Sequence, residues 1–317
     1  MKLQKVSQIF IFIVLNLILI TSGYPIRNFD FPGIEDYIIT KDQEGLVGPV
    51  QSVKRDLVKF ANQSGQWVEK SRYSLGTLEY DQKGNLIMET SQHPDGSMYI
   101  VTKYTFDSDG RLTNKSTGIN MKFTYDAAGR LKEVLSEGSK ITFAYDEQGR
   151  VFEEVRSQLD GPHQHTSKIA YRYDSKGHII EEKNYSSDSG LFDKTTYKYD
   201  NDGNMIEKVS YLGDNVIHNK WTYKYDNKKN KAEEISYRPD GSVSQKHQMS
   251  YDDRNNRTGI IFFNPNGTIE SKQIDTYEYD SRGNWIRREE KLNWAKKPEN
   301  DSLEVTYRTI TYYPAKN

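Results

Sequence analysis

The chain has 317 residues, enough for one large domain or two ordinary ones. Its 44 basic and 45 acidic side chains nearly balance, and no basic stripe points to nucleic acid as a partner. The absence of cysteine excludes disulfides, cysteine catalysis and lipid attachment at a cysteine. Tyrosine (23) and glycine (22) are abundant and proline (9) is scarce, which favours strands joined by tight turns.

The first 23 residues are typical of a secretory signal peptide. Lys2 and Lys5 precede the twelve-residue apolar run IFIFIVLNLILI (9–20), and the small residues TSG follow it. A membrane span needs roughly 20 apolar residues, so we expect cleavage rather than anchoring. Cleavage leaves a net charge of about −3. We expect the mature protein in the periplasm, in the medium or at the outer surface, beginning with a linker over 24–45.

An aromatic–Asp pair recurs nine times from residue 80 onward. Successive pairs begin 26, 19, 20, 28, 26, 26, 26 and 28 residues apart. In seven units a glycine follows the aspartate by three positions, and the next residue is Asn, Arg or His. The paired turn residues are Asp81 and Gly84, Asp107 and Gly110, Asp126 and Gly129, Asp146 and Gly149, Asp174 and Gly177, Asp200 and Gly203, and Asp280 and Gly283.

Asp-x-x-Gly is the chemistry of a tight hairpin turn. The aspartate accepts backbone N–H groups, and the glycine adopts the left-handed conformation that returns the chain as a strand. A side chain at the glycine position costs on the order of 1 kcal/mol, least for asparagine. Asn255 takes that position in the eighth unit, whereas Lys229 in the seventh predicts an altered or strained turn.

A second set of turns alternates with the first, so each unit reads strand, turn, strand, turn. RPDGS (238–242) and NPNGT (264–268) are examples. This pattern predicts an all-β antiparallel meander of β-hairpin repeats with some eighteen strands. Strand alternation predicts that Tyr197, Tyr199, Met205 and Glu207 share one face, with Tyr197 opposite Glu207.

A sheet of that width cannot stay flat, because strands twist. We therefore predict one long, coiled or partly wrapped sheet, that is, an open shell or solenoid-like wall. Its segments are a signal peptide (1–23), a linker (24–45), N-terminal capping strands (46–79), the repeat sheet (80–284) and a C-terminal capping hairpin (285–317).

The run YDAAGRL, YDEQGRV, YDSKGHI, YDNDGNM and YDSRGNW resembles the YD-repeat, or Rhs-repeat, family. The resemblance covers roughly residues 73–313. It implies an extracytoplasmic protein whose repeats build a long coiled sheet, which in large members encloses a toxic C-terminal domain. Carbohydrate binding is also attributed to such repeats. The chain is much shorter and shows neither a toxin domain nor an autoproteolytic Asp-Pro segment, so we expect a short stand-alone member.

Candidate ligand-binding residues are aromatic side chains able to stack on sugar rings: Trp221, Trp285, Trp294, Tyr211 and Tyr237. A glutamate column recurs beside the tyrosines: Glu133, Glu153, Glu181, Glu207 and Glu233. A glycosidase needs one particular pair of carboxylates, whereas here a glutamate recurs in each repeat. This recurrence favours a structural role, in which each glutamate pairs with a nearby Lys or Arg or accepts a hydrogen bond from the opposing tyrosine. His163 and His165 are interpreted as surface-loop residues, and no metal site or cofactor is predicted.

We predict an exported, non-enzymatic YD-repeat protein that serves as a binding or structural scaffold at the cell envelope or outside the cell. Cell-surface glycans are candidate ligands, and an envelope or toxin protein is a candidate partner. Nucleic acid and membrane insertion after cleavage are not expected. The alternatives are a shell-type fragment that docks a toxin or other protein and, less favoured, a glycan-processing enzyme.

Overall fold

The computed structural model describes residues 40–315 except 94, 96, 161–164 and 188–189. The predicted signal peptide and most of the predicted linker lie outside the described residues. The described part contains twenty β-strands and one three-residue 3-10 helix, Pro298–Asn300. Within it, no helix has the length and apolar character needed to span a membrane.

Each strand pairs antiparallel with the next one along the chain, which confirms the predicted all-β meander of hairpins. The strands are β1 (Val50–Gln63), β2 (Gln66–Tyr80), β3 (Leu86–Gln92), β4 (Met98–Phe106), β5 (Leu112–Ser116), β6 (Asn120–Tyr125), β7 (Leu131–Ser136), β8 (Ser139–Tyr145), β9 (Val151–Gln158), β10 (Thr166–Tyr173), β11 (Ile179–Ser186), β12 (Gly190–Tyr199), β13 (Met205–Leu212), β14 (Val216–Tyr225), β15 (Lys231–Tyr237), β16 (Val243–Tyr251), β17 (Arg257–Phe263), β18 (Ile269–Tyr279), β19 (Trp285–Trp294) and β20 (Ser302–Tyr312).

The sheet closes on itself because β1 also pairs antiparallel with β20. Along this seam Lys54 lies opposite Thr309, and Val58 lies opposite Val305. The prediction of an open shell or solenoid is therefore wrong, since the twenty strands form a closed barrel. The segments expected to cap two separate edges, 46–79 and 285–317, pair with each other instead. Closure satisfies the N–H and C=O groups that two free edges would expose.

The Asp-x-x-Gly segments form one rim of the barrel, here called the turn rim. At Asp200, one carboxylate oxygen accepts the backbone N–H groups of Asp202 (3.0 Å) and Asn204 (2.8 Å). The other accepts the Asn204 side-chain amide at 2.9 Å, which explains why Asn, Arg or His follows the glycine. Gly203 has φ 83°, and Lys229 keeps the same left-handed backbone with φ 65°. The lysine therefore leaves the turn unaltered, and it bears the strain itself.

A β-bulge follows each of these turns and corrects the predicted register. Tyr199 pairs with Met205, whereas Lys198, not Tyr197, pairs with Glu207. Ile206 is the extra residue, so Tyr197 lies opposite Lys208. The tyrosines and the glutamate column consequently occupy opposite faces of the sheet, so the prediction that Glu207 shares a face with Tyr197 and Tyr199 is wrong. The bulge is the usual companion of a glycine in the left-handed conformation.

In six units the tyrosine of the aromatic–Asp pair binds the preceding hairpin. Its hydroxyl donates to the carbonyl of the first residue after the previous turn, for example from Tyr199 to Ile179 (2.8 Å) and from Tyr225 to Met205 (2.8 Å). The other such bonds run from Tyr125 to Leu112, Tyr145 to Leu131, Tyr173 to Val151 and Tyr251 to Lys231, and in the ninth unit Tyr277 takes this role in place of Tyr279. This tyrosine ladder ties successive hairpins together along the turn rim.

The tyrosine ladder lies on the inner face of the barrel, which is the more buried one. In β18 the inner-face residue Asp275 is 2% exposed, and its outer-face neighbour Ile274 is 51% exposed. The inner face over β1–β9 is an apolar core built from Leu86, Leu112, Leu131, Val134, Phe123 and Phe143. From β10 onward the inner face is mainly tyrosine and charged residues.

Residues 40–49 form a strap along the turn rim across the β1–β20 seam. The Lys41 N–H donates to the carbonyl of Gly84 (2.9 Å), and the Val47 N–H donates to the Asn284 side chain (2.7 Å). Leu46 is buried, and Glu44 reaches Arg308 at 4.0 Å. The strap therefore joins the first and the last Asp-x-x-Gly turn.

Replacement of Tyr199 by phenylalanine should destabilise the fold by about 1 kcal/mol, because the Ile179 carbonyl loses its hydroxyl donor. Tyr211→Phe is the matched control: Tyr211 lies on the outer face, and its hydroxyl has no hydrogen bond to any described residue. Urea unfolding followed by intrinsic fluorescence measures both. Equal effects of the two substitutions would contradict the structural role of the ladder.

Closure of the ring can be tested with a disulfide, since the natural chain has no cysteine. Lys54→Cys combined with Thr309→Cys places two thiols on exposed, directly paired outer-face positions of β1 and β20. Oxidation should cross-link them, because paired antiparallel residues have Cα separations within disulfide range. Lys54→Cys with Thr276→Cys, two strands away from β20, should stay reduced. Peptide mapping of the oxidised proteins decides, and an open sheet would leave both pairs reduced.

Candidate functional site: the outer stripe

The outer face carries a stripe of aromatic rings, each covered by a lysine of the neighbouring strand. Lys194 Nζ lies 4.6 Å from the centroid of Tyr211, and Lys220 Nζ lies 6.0 Å from that of Tyr237. The four pairs, here called the outer stripe, are Tyr185 with Lys168, Tyr211 with Lys194, Tyr237 with Lys220, and Phe263 with Lys246. Rings and lysines both recur every 26 residues, so the stripe is a direct product of the repeat.

Directly paired residues form each rung. Lys194 lies opposite Tyr211, and Lys220 lies opposite Tyr237, on adjacent antiparallel strands. Side chains at such positions lie about 5 Å apart at Cβ and therefore interact. Successive rings are two strands apart, or about 9.6 Å. The outer stripe is thus a row of half-buried rings and ammonium groups at constant spacing.

The glutamate column runs parallel to the outer stripe on the same face. Glu207 accepts contacts from Lys198 and Lys220, each at 2.7 Å. Glu233 contacts Lys224 at 2.7 Å and Lys246 at 2.9 Å. The stripe lysines therefore connect the carboxylate of one hairpin with the ring of the next. This geometry matches the ion-pair interpretation of the column and excludes the tyrosine partners considered for it at Glu207.

The ion pairs change the acidity of these carboxyl groups. Hydrogen bonds from Lys224, and then from Lys246, lower the pKa of Glu233 from 4.5 to about 2. Burial opposes ionisation of Glu207, but its two lysines outweigh burial and lower its pKa. A carboxylate with so low a pKa stays charged at neutral pH and is a poor general acid. The column is suited to holding the wall together.

The inner face holds charged groups of a different kind. Burial raises the pKa of Glu182, against the effect of a hydrogen bond from Tyr197. Burial likewise raises the pKa of Glu290, which accepts from Arg288 at 2.7 Å and from Gln273 at 3.0 Å. Tyr197 and Gln273 reach these carboxylates from neighbouring strands, so their hydrogen bonds fasten the wall from inside.

The five predicted ligand-binding aromatics do not form one site. Tyr211 and Tyr237 belong to the outer stripe, whereas Trp221, Trp285 and Trp294 lie on the inner face. The guanidinium of Arg308 stacks on Trp285 at 3.5 Å from the ring centroid. Lys208 approaches Trp221 at 5.7 Å. The bulges decide this division, because one extra residue per turn moves the flanking side chains to the opposite face.

The remaining candidates carry no site among the residues that the structure describes. No group of three or more His, Asp or Glu there is arranged to hold a metal ion. His163 lies outside the described residues, and the exposed His165 begins the hairpin that contains β10. The aspartates that resemble calcium loops, such as Asp107, accept N–H groups of their own turn instead.

Sequence reasoning missed Tyr185 and Phe263, which complete the outer stripe. The signal was present, since each lies 26 residues from a predicted ring. Sequence reasoning also did not identify the position at which the glutamate column is interrupted. The period that places Glu207 and Glu233 places Gly259 next, on the outer face.

Comparison with known proteins gives two partial matches. Residues 62–160 match the family model described as Teneurin YD-shell, and residues 140–253 match a family described only as an uncharacterised protein. No curated protein matches the chain.

Solved structures give weak similarities. The crystal structure of TcdB2-TccC3-TEV is 10% identical with a TM-score of 0.35, over 72% of this chain and 15% of that one. A porin-like protein from Bacteroides uniformis ATCC 8492 is 13% identical with a TM-score of 0.36, over 83% and 98%. The Photorhabdus luminescens Tc holotoxin pore is 11% identical with a TM-score of 0.27, over 78% and 18%. The chain thus spans about 15% of the first structure, and TM-scores this low support no inference about function.

Stability should fall on acidification. Groups with a lowered pKa, such as Glu233, stabilise the fold above their unfolded pKa of 4.5, and this contribution is lost as the pH falls toward the folded value of about 2. Asp200, with a pKa lowered first by the Asn204 side chain, acts in the same sense. Glu182 and Glu290, whose pKa values are raised, act in the opposite sense, but they are outnumbered by the carboxyl groups whose pKa is lowered.

Urea unfolding between pH 7 and pH 2.5 measures this dependence. Glu233→Gln should lower stability at pH 7 and flatten the decline below pH 4.5. Glu299→Gln is the matched control, since Glu299 is exposed and forms no ion pair with a described residue. Parallel curves for Glu233→Gln and the parent protein would refute the assignment.

Proposed function

Because the chain belongs to the YD-repeat family, we propose that it is a non-enzymatic structural scaffold that works outside the cytoplasm and binds glycans through its outer stripe. The family rests on the Teneurin YD-shell match over residues 62–160 and on the same turn unit, which continues as far as Gly283. A shell-like scaffold agrees with a closed sheet in which every strand has two partners. The location outside the cytoplasm rests on the predicted signal peptide.

The constant spacing of the outer stripe supports glycan binding. Four rings lie about 9.6 Å apart, a distance comparable with the length of a disaccharide. A linear glycan lying across the strands would meet one ring in every second sugar. A lysine lies over one face of each ring, so the C–H face of a sugar would stack on the opposite face. The lysine can donate to hydroxyl or ring oxygens of the same glycan.

The glutamate column supports a role without catalysis. Glu207 and Glu233, which lie one repeat apart, are each held between two lysines. Hydrolysis of a glycoside requires two carboxyl groups with different environments and separated pKa values. Identical ion pairs in successive rungs provide no such difference.

A glycan array with neutral and charged oligosaccharides tests the proposal. Tyr211→Ala combined with Tyr237→Ala should weaken binding of the retained glycan at least tenfold, because each substitution removes a stacking ring from the stripe. Trp221→Ala is the matched control: this ring lies on the inner face, so binding should be unchanged in a folded protein. Equal losses in both variants, or no glycan retained by the parent protein, would overturn the proposal.

Docking of another protein is the second candidate, and the rim opposite the turn rim favours it. Large apolar side chains are exposed there, among them Tyr99 (63%), Phe192 (61%) and Val216 (64%). Exposed apolar clusters of this kind often mark protein contacts. A stable protein complex without glycan retention, lost on Phe192→Ser with Val216→Ser, would favour this function instead.

A further inference from the structure

The glutamate column is interrupted on the outer face of β17. Glu233 pairs with Lys224 and Gln248, and the corresponding residue one period later is Gly259. Gly259 pairs with Ser250 and Ile274 in the same register. A rung that elsewhere carries a carboxylate therefore carries no side chain here.

The interruption leaves a lysine of the column without its carboxylate. Lys220 contacts Glu207, and Lys246 contacts Glu233, each within 2.9 Å. Lys272 is next in this series, and among the described residues it forms no ion pair within 4.0 Å. Lys291 lies opposite Ile274 on β19 and forms none either, over the same residues. Both ammonium groups lie on the β18–β19 side of the missing rung, and neither has a carboxylate partner among the described residues.

A recess of about 460 Å³ lies at this position, lined in part by Ser250, Gly259, Ile261, Lys272 and Ile274. Among its polar groups, Lys272 offers an ammonium donor, and the Ser250 hydroxyl and the Gln273 backbone carbonyl lie 3.0 Å and 3.2 Å from where a Cβ of residue 259 would stand. Its apolar wall includes Ile274, which is 51% exposed. The recess therefore combines cationic and hydroxyl donors with an exposed aliphatic surface.

We propose that this recess binds the carboxylate of an acidic sugar, in the place of the missing glutamate. The intact rungs indicate the ligand chemistry, since the same lysine position holds a carboxylate at Glu207 and at Glu233. The inference deepens the proposed glycan function and rests on it for the ligand class. Phe263, the last ring of the outer stripe, lies four residues from Gly259 on the same strand and face, about 13 Å away. The stripe runs across the strands and the recess lies along β17 from it, so a uronate on a branch of the bound glycan would reach the recess, with its ring against Ile274.

Binding of D-glucuronate and of D-glucose, measured by NMR titration of the full mature chain, tests the recess without a polymer. Glucuronate should bind at least tenfold more tightly, because only its carboxylate can form a charge-assisted hydrogen bond with Lys272. Lys272→Gln should remove this preference. Lys122→Gln, a change at an exposed outer-face lysine of β6 without an ion pair among the described residues, should preserve it.

Gly259→Glu provides the converse test by supplying the missing carboxylate. It should pair with Lys272, abolish glucuronate binding and leave neutral oligosaccharides on the stripe. Its Cβ would approach Ser250 Oγ at 3.0 Å and the Gln273 carbonyl oxygen at 3.2 Å. Circular dichroism must therefore first show that the variant is folded, and if it is not, Lys272→Gln alone tests the proposal. Equal affinity for both sugars, or a preference for glucuronate that survives Lys272→Gln, would contradict carboxylate binding in the recess. Selective glucuronate binding without any binding of neutral glycans would support the acidic-sugar site in the recess and contradict glycan binding by the outer stripe.

Discussion

The tyrosine hydrogen bond between consecutive hairpins is the interaction on which this wall depends. Barrels of about eight strands fill their interior with side chains, whereas twenty strands enclose more than side chains can bridge. Neighbouring hairpins must therefore be fixed to each other within a single layer. The Tyr199 hydroxyl does so by binding the Ile179 carbonyl of the preceding hairpin, and His178 stacks on the same ring at 4.6 Å. In other units an arginine stacks instead, as Arg150 does on Tyr173 at 4.5 Å.

The bulge after each turn separates the two tasks of the repeat. One extra residue, such as Ile206, puts Tyr199 inside and Glu207 outside. The inner face can then be devoted to tyrosine bonds and buried charges, and the outer face to ion pairs and rings. Without the bulge, the carboxylates would compete with the tyrosines for space in the interior. The separation leaves the outer face free to vary without loss of the ladder.

Local chemistry made part of this fold predictable. Asp200 and Gly203 specify a turn within four residues, so the hairpins and their antiparallel order follow from the sequence. The bulge at Ile206 has no distinctive residue, and the predicted register therefore failed by one position. Closure was also beyond local reasoning, because β1 and β20 meet across the whole chain and their charged side chains resemble those of edge strands. The outer rings Tyr211 and Tyr237 were identified by type, but the face of Trp221 depends on the bulges.

In a wall built by repetition, specificity has to come from positions where the repeat is broken. A rung such as Glu233 between Lys224 and Lys246 satisfies its own charges and offers little to a ligand. Gly259 removes one carboxylate and leaves Lys272 in place, so the same period that builds the wall now presents an unmatched cation. The substitution leaves the inner face and its tyrosine ladder intact, since Tyr251 still binds the Lys231 carbonyl at 3.0 Å. A recognition site can thus arise on this scaffold by deletion of one side chain from an outer rung.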